Sequence, residues 1–111
     1  MVENRKHPRV PSRLRCWCEG ENVTVYARVG NISEGGMFVC TSTPLNKGTA
    51  ATLRFGADSP VETPATVMWV HSGNGGGLPT GMGLRFEGLD EARVEAIRRL
   101  IEGEQRSQKN Q

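Results

Sequence analysis

The stretch Asn31-Ile32-Ser33-Glu34-Gly35-Gly36 separates two segments that both have the pattern of β-strands. Upstream of it, apolar and polar residues alternate from Val23 to Val29, and Gly36-Met37-Phe38-Val39-Cys40 follows it as a second strand candidate. The glycines, the amide and the hydroxyl favour a turn, because these residues adopt unusual backbone angles or hydrogen-bond to nearby backbone groups. A tight hairpin needs only Asn-Gly, so three polar side chains here indicate either a longer hairpin loop or a binding turn.

The same alternation recurs along the chain and predicts an all-β fold. Six short strand candidates are separated by turns rich in Gly, Pro and Asn, and they cover residues 14–19, 23–29, 36–41, 51–55, 61–71 and 82–86. Six strands at this spacing indicate an antiparallel barrel or sandwich, and closure into a barrel removes exposed strand edges. In the longest candidate, Ala65, Val67 and Trp69 are predicted to share one face, because side chains alternate along a strand.

A helix is predicted after the last strand, and it helps to define the domain limits. Asp90 is predicted to cap its N-terminus and Gly103 to end it. Its apolar stripe, which we expect to lie across a barrel opening, consists of Val94, Ile97, Leu100 and Ile101. We therefore divide the chain into a flexible basic arm (residues 1–13), a barrel with its helix (14–103) and a disordered tail (104–111).

The composition excludes several classes of protein. At 111 residues, with 36% hydrophobic and 23% charged residues, the chain is expected to form one globular domain. No apolar run approaches the roughly 18 residues of a membrane span, and residues 1–15 lack a signal-peptide core, so we expect a cytoplasmic protein without membrane insertion. Cys16, Cys18 and Cys40 lack CxxC spacing, so we expect reduced thiols and no metal site.

Positive charge is concentrated in the N-terminal arm. The formal net charge is only +2, yet five of the 14 Lys and Arg residues fall in the first 15 positions, where Glu3 is the only acidic residue. Such an arm is expected to bind an anion. Aromatic residues make up 5% of the chain, and the charge forms no stripe along a predicted surface, so DNA and RNA are not the expected anions.

The sequence contains no catalytic pattern. Ser33 has no histidine partner in a recognisable triad signature, since His7 and His71 both stand outside such motifs. The glycine run at residues 73–77 lacks the Gly-Lys-Ser/Thr ending of a phosphate-binding loop and does not open a helix. We therefore expect that the chain is not an enzyme.

Two short motifs, considered together, point to a known family. Arg5-x-x-x-Arg9 followed by Asn31-x-Ser33-x-x-Gly36 resembles the two-part signature of PilZ domains, which are bacterial receptors for the nucleotide cyclic di-GMP. The resemblance implies a six-stranded antiparallel β-barrel with a C-terminal α-helix. This fold agrees with the strand candidates counted above.

The resemblance also implies a role for each signature residue. Arg5 would stack on a guanine and hydrogen-bond to it, and Arg9 would clamp phosphate, since a guanidinium is permanently charged, flat and able to donate two parallel bonds. Asn31 would bind a guanine edge and Ser33 would bond to phosphate. Gly36 would leave room for the ligand.

Further contacts are expected outside the signature. The resemblance covers about residues 4–102 and includes the strands that carry Trp69 and Gly83, which are added to the candidate site together with Lys6 as an extra positive charge. For Trp69, packing in the core is the preferred role and contact with the ligand is the alternative.

The arginine spacing allows two registers. Arg9-Val10-Pro11-Ser12-Arg13 repeats the four-residue spacing, so the pair is either Arg5 with Arg9 or Arg9 with Arg13. Arg5 with Arg9 is preferred, because the outer pair has the reach to fold back over the barrel.

The expected function is that of a second-messenger receptor or adaptor. Cyclic di-GMP would order the N-terminal arm over the barrel, and an unidentified downstream protein would bind the surface so formed. The alternative is a PilZ-like protein-interaction module that binds no nucleotide.

Overall fold

A computed structural model of the chain describes residues 10–56, 60–72 and 80–109. The described segments form seven strands and one helix, which are β1 (Val10–Pro11), β2 (Arg15–Glu19), β3 (Thr24–Ile32), β4 (Gly36–Cys40), β5 (Ala50–Phe55), β6 (Val61–His71), β7 (Gly81–Phe86) and α1 (Glu91–Lys109). None of the described helical segments is long and apolar enough to cross a membrane.

Strands β2 to β7 close into an antiparallel barrel. Neighbours around the barrel follow the order β3-β2-β5-β6-β7-β4, and an additional pairing between β3 and β4 closes the ring. The predicted six-stranded antiparallel β-barrel with a C-terminal α-helix is therefore confirmed. Closure pairs the long edges that an open sheet of these strands would expose to other chains.

Strict alternation along the strands forms the core. In β2, Cys16 and Cys18 point inward and are fully buried, whereas Arg15 and Trp17 point outward. The inward-facing apolar residues of all six barrel strands belong to one hydrophobic cluster, and removing their surface from water is the main favourable term in folding.

Helix α1 covers part of the barrel. The Arg93 N–H donates to Asp90 Oδ1 at 2.8 Å, which is the N-cap predicted from the sequence. Ile97 is fully buried in the hydrophobic cluster, and Leu100 and Ile101 pack against that cluster while remaining partly exposed. Ile97, Leu100 and Ile101 of the predicted stripe therefore join the helix to the barrel.

The structure differs from the predicted arm of residues 1–13 at its C-terminal end. Val10 and Pro11 pair with Ile32 and Asn31 of β3 as the short strand β1, and Val10 is buried. The Ser12 N–H donates to a β3 carbonyl at 3.1 Å. Two paired residues are too few to show a period in the sequence, so only the fold reveals this strand.

The helix also extends beyond its predicted end. Gly103 lies within α1, which continues to Lys109, so residues 104–109 are helical instead of forming a disordered tail. One reason is tertiary, because the Glu104 carboxylate accepts a hydrogen bond from the Arg13 N–H at 2.7 Å. A glycine inside a helix costs only about 1 kcal/mol, which the flanking helix-forming residues and this contact offset.

Candidate functional site

The polar turn between β3 and β4 is shorter than predicted and is fixed by its own hydrogen bonds. Ser33, Glu34 and Gly35 alone connect the two strands. The Ser33 N–H donates to the Gly36 carbonyl at 2.8 Å, and Ser33 Oγ accepts from the Gly35 N–H at 3.2 Å. Ser33 is 4% exposed, and its hydroxyl donates to the Gly36 carbonyl over a long 3.4 Å. The serine therefore shapes the turn from within.

Gly36 is required by the barrel itself. A Cβ at this position would lie 2.1 Å from the Leu84 carbonyl oxygen of the neighbouring strand β7, a backbone atom that cannot move aside cheaply. The absence of a side chain thus allows β4 and β7 to approach closely. The sequence prediction attributed this glycine to space for a ligand, and the structure supplies a steric reason within the fold.

A β-bulge turns Asn31 toward the outer surface. The register of β3 with β4 shifts between Val29 and Asn31, so that Val29 faces inward opposite Val39 while Asn31 lies opposite Phe38. Without the bulge, two-residue alternation would direct Asn31 inward with Val29. Bulges commonly re-aim a side chain in this way.

A second bulge turns Trp69 toward the outer surface. The prediction that Trp69 shares one face with Ala65 and Val67 was therefore wrong. Ala65 and Val67 face inward and are buried, but the register of β6 with β7 shifts between Val67 and Trp69. Trp69 therefore lies on the outer face opposite Gly83 and is 39% exposed. Core packing, the preferred role for this tryptophan in the sequence analysis, is excluded by its position.

The two bulges bring a row of residues together on the outside of the barrel. Asn31, Phe38, Gly83 and Trp69 are successive cross-strand neighbours on β3, β4, β7 and β6. Directly opposed residues share a face of the sheet. Together with Arg85, which follows Gly83 by two residues on β7, they form a surface that we call the β4–β7 face.

Two glycines leave room for the aromatic rings of Phe38 and Trp69 on this face. Trp69 stacks on Phe38 with ring centroids 5.2 Å apart and planes 14° from parallel. A Cβ on Gly83 would lie 2.2 Å from Trp69 Nε1, and one on Gly81 would lie 2.6 Å from the Phe38 ring. The indole consequently rests flat against the strand backbone. Gly83 contributes to the site by admitting Trp69.

Arg85 is a candidate residue that the sequence reasoning missed. It lies opposite Gly36 on β4 and Thr66 on β6, and its side chain is exposed. Its guanidinium donates to Glu87 Oε2 at 3.0 and 3.2 Å, and the Thr66 hydroxyl donates to the same oxygen at 2.7 Å. The Thr66 bond, followed by the Arg85 bonds, lowers the pKa of Glu87. The available signal was the two-residue spacing of Gly81, Gly83 and Arg85, which places all three on one face of the strand.

Helix α1 is tied to the turn by an ion pair. Arg98 donates to both carboxylate oxygens of Glu34 at 3.4 and 3.5 Å. The hydrogen bond to Glu34, with the charge of that carboxylate, raises the pKa of Arg98. The helix therefore contacts the same turn that carries Ser33.

The basic half of the predicted site is described only at its edge. Arg5, Lys6 and Arg9 lie outside the described residues. Arg13 is described, and its backbone N–H bonds to Glu104 of α1. Across the described ranges no group of His, Cys, Asp and Glu side chains could hold a metal ion.

Comparison with known proteins gives one family match. The family model for the PilZ domain matches residues 3–103. No curated protein matches the chain significantly.

Solved structures share the fold at low sequence identity. A PilZ domain of YcgR from Escherichia coli with cyclic di-GMP superposes with a TM-score of 0.78 at 17% identity, covering 97% of this chain and 96% of that one. MotI, an inhibitor of motility from Bacillus subtilis, gives 0.75 at 19% identity, covering 99% of this chain and 53% of that one. PlzA from Borreliella burgdorferi, also in complex with cyclic di-GMP, gives 0.65 at 12%, with 88% and 41% covered.

Proposed function

The chain belongs to the PilZ domain family, and on this premise we propose that it is a cytoplasmic, non-enzymatic receptor for cyclic di-GMP. The nucleotide would lie on the β4–β7 face and would order the N-terminal arm over the barrel. The observation that carries the proposal is the pairing of β1 with the end of β3. It brings the chain that follows the arginine pair against the strand that ends in the Asn-Ser-Gly turn.

The reach of the arm supports this arrangement. Val10, the residue after Arg9, is the partner of Ile32, and Pro11 is the partner of Asn31. Consecutive Cα atoms are about 3.8 Å apart, and an extended residue adds at most about 3.6 Å. The length of the chain before Val10 would therefore allow Arg5 and Arg9 to reach the turn, although the two motifs are distant in sequence.

The position of Arg13 favours the preferred arginine register. Its backbone is engaged by Glu104 of α1, and the neighbouring Ser12 is buried with its N–H bonded to β3. A residue held between β1 and the helix is poorly suited to close over a ligand on the β4–β7 face. Arg5 with Arg9 remains the pair that we propose to contact the nucleotide.

The β4–β7 face offers the complementary chemistry. A guanine has a flat apolar surface with polar edges, which suits an exposed indole stacked on Phe38 and the amide of Asn31 at the end of the row. Two phosphates need cations, and Arg5, Arg9 and Lys6 can supply them. Ser33 can contribute as well, because its long bond to the Gly36 carbonyl is easily exchanged for a phosphate oxygen.

Arm ordering links binding to output. Fixing a residue's backbone costs about 1–2 kcal/mol, so several charge-assisted bonds to the nucleotide are needed to make closure of the arm favourable. The closed arm would create a surface that is absent without the ligand, and a downstream protein would bind that surface.

Calorimetric titration with cyclic di-GMP tests the proposal. We expect Arg9→Ala to weaken binding by roughly 100-fold, because two charge-assisted hydrogen bonds are worth about 3 kcal/mol together. The matched control is Arg13→Ala, which we expect to bind within about twofold of the native chain. Both variants should keep the native melting temperature within a few degrees, because Arg13 is exposed and the arm that carries Arg9, proposed to be ordered only by the ligand, would add little to the core.

Two outcomes would contradict the proposal. Absence of binding to the native chain would favour the interaction module that binds no nucleotide. Equal affinities for the native chain and Arg9→Ala would leave nucleotide binding intact but would exclude the arm as part of the site.

A further inference from the structure

A second pair of aromatic rings is exposed on a different part of the barrel. Trp17 of β2 and Tyr26 of β3 are direct cross-strand partners, with ring centroids 4.4 Å apart and planes tilted by 43°. They are 43% and 55% exposed. Large adjacent apolar side chains left in water commonly mark an interaction site. The nucleotide proposal above makes no use of either ring.

Two arginines flank these rings. Arg54 of β5 lies opposite Trp17, and Arg15 precedes Trp17 by two residues and so shares its face. Both are exposed. Within residues 10–56, 60–72 and 80–109, neither guanidinium makes a hydrogen bond or an ion pair. We call Arg15, Trp17, Tyr26 and Arg54 together the β2–β3 patch.

A cavity opens beside the rings. It has a volume of about 180 Å³ and is lined by the four residues of the patch together with Phe55, Gly56 and Pro60. The aromatic residues and Pro60 form an apolar lining that fits one apolar side chain. The two arginines line the same cavity.

We propose that the β2–β3 patch binds an acidic segment of a partner protein, with one aromatic or aliphatic side chain of that segment in the cavity. Trp, Tyr and Arg are the residues that dominate binding energy at protein interfaces. Each free guanidinium can donate two parallel bonds to a carboxylate, and the planar geometry adds specificity. Carboxylates on both sides of an apolar anchor would therefore match the patch.

Single-stranded nucleic acid fits the patch less well. Bases stack best on open ring faces, whereas Trp17 and Tyr26 pack against each other at a tilt. Carboxylates also border the patch, since Glu19 follows Trp17 on the same face and Glu62 lies opposite Arg54. A continuous phosphate backbone that crosses the strands would meet these negative charges, whereas a peptide with two separated carboxylates can place each of them beside Arg15 or Arg54.

A second copy of the chain also fits less well. In a two-fold symmetric dimer the same patch faces itself, so Arg15 and Arg54 of one copy would meet the same arginines of the other. Like charges brought together in an interface oppose association. The charge of the patch therefore favours a partner of opposite sign.

The patch would be a second binding surface of the proposed receptor, separate from the surface made by the closed arm and present without ligand. Its binding is therefore tested without nucleotide. A phage-displayed library of random linear peptides is panned on the native chain, and the enriched peptides are synthesised for affinity measurements. We expect them to carry Asp or Glu on both sides of an aromatic or aliphatic residue. Arg54→Glu and Trp17→Ala should each weaken their binding by roughly tenfold or more.

Arg99→Glu is the matched control, because it makes the same charge change on an exposed part of α1. It should bind the peptides as the native chain does. Circular dichroism and denaturant unfolding check that each variant is folded. Titration of Arg54→Glu with cyclic di-GMP separates the two proposals, since unchanged nucleotide affinity is expected whatever the peptides do.

Three results would overturn the inference. The first is enrichment of peptides without acidic residues, or of peptides that bind all variants equally. The second is a native dimer in light scattering that Trp17→Ala dissociates, which would assign the patch to a second copy. The third is a mixed-sequence single-stranded oligonucleotide whose binding depends on Trp17 and Arg54.

Discussion

The barrel carries two exposed tryptophans in two different settings. Trp69 on the β4–β7 face lies nearly parallel to Phe38, which is only 4% exposed. The Trp69 ring rests over Gly83, which leaves room for it. Trp17 in the β2–β3 patch is tilted against Tyr26, which is more than half exposed. The Trp69 ring is therefore part of a surface whose shape depends on glycines. Trp17 projects from strands that pair in a regular register.

This difference indicates different roles. Forming the β4–β7 face requires glycines at defined positions and a bulge in each of two strands, so its shape is preorganised for a flat ligand. The β2–β3 patch requires only side chains in the part of the sheet where β2 pairs with β3 and β5 in a regular register. Such a surface can adapt to a peptide through rotamer changes, which are common when proteins bind.

The largest expected effect on stability comes from a substitution at Gly36, beside the β4–β7 face. Gly36→Ala should destabilise the protein by about 3 kcal/mol or more, because the added Cβ would collide with the Leu84 carbonyl and separate β4 from β7. Denaturant unfolding measures this loss. The matched control is Gly103→Ala in α1, where no atom lies within 4 Å of the new Cβ, and it should stabilise the chain by about 0.5–1 kcal/mol. A stable Gly36→Ala variant would show that the close approach of β4 and β7 is not required.

A smaller effect is expected from the thiols beneath the β2–β3 patch. Burial, with smaller contributions from Cys18 and Cys40, raises the pKa of Cys16 from 9.0 to about 12, and burial raises that of Cys18 to about 11. Above pH 9 the unfolded chain releases protons that the folded chain still holds, so the free energy of unfolding falls as pH rises. Their stabilising contribution is complete below pH 9 and decreases above it.

Denaturant unfolding at about pH 8 and about pH 10 measures this loss, which we expect to be about 2–3 kcal/mol for the two thiols together. A variant with Cys16→Ala and Cys18→Ala removes both titrating groups, so its stability should change less between the same two pH values. Equal changes in the two proteins would assign the alkaline loss to other groups.

The smallest expected effect is the difference between the two tryptophans. Trp69→Ala should cost about 2 kcal/mol, because it exposes Phe38 and leaves the space over Gly83 unfilled. Trp17→Ala should cost less than about 1 kcal/mol, since it removes one exposed cross-strand pair. The denaturant concentrations at the unfolding midpoints give both losses of stability, if the free energy of unfolding depends equally on denaturant concentration in each protein. If the two variants were equally destabilised, the contrast between the two surfaces would not extend to stability.

Much of the fold could be predicted from local pattern. Alternation identified all six barrel strands, and the N-cap at Asp90 was predicted because capping depends on neighbouring residues alone. Strand β1 was missed because two residues carry no period, and the end of α1 was misplaced because Glu104 is held by a residue 91 positions away. Local signals do not report such contacts.

For the candidate site, sequence alone supplied the residue types and their spacing. The signature motifs, the basic arm and the glycines are all readable in the chain, because composition and order are enough to define them. The tertiary structure alone decided which way Asn31 and Trp69 face. A bulge in β3 and another in β6 each insert one residue into the alternation, and a shift of one residue moves every later side chain to the opposite face of the sheet.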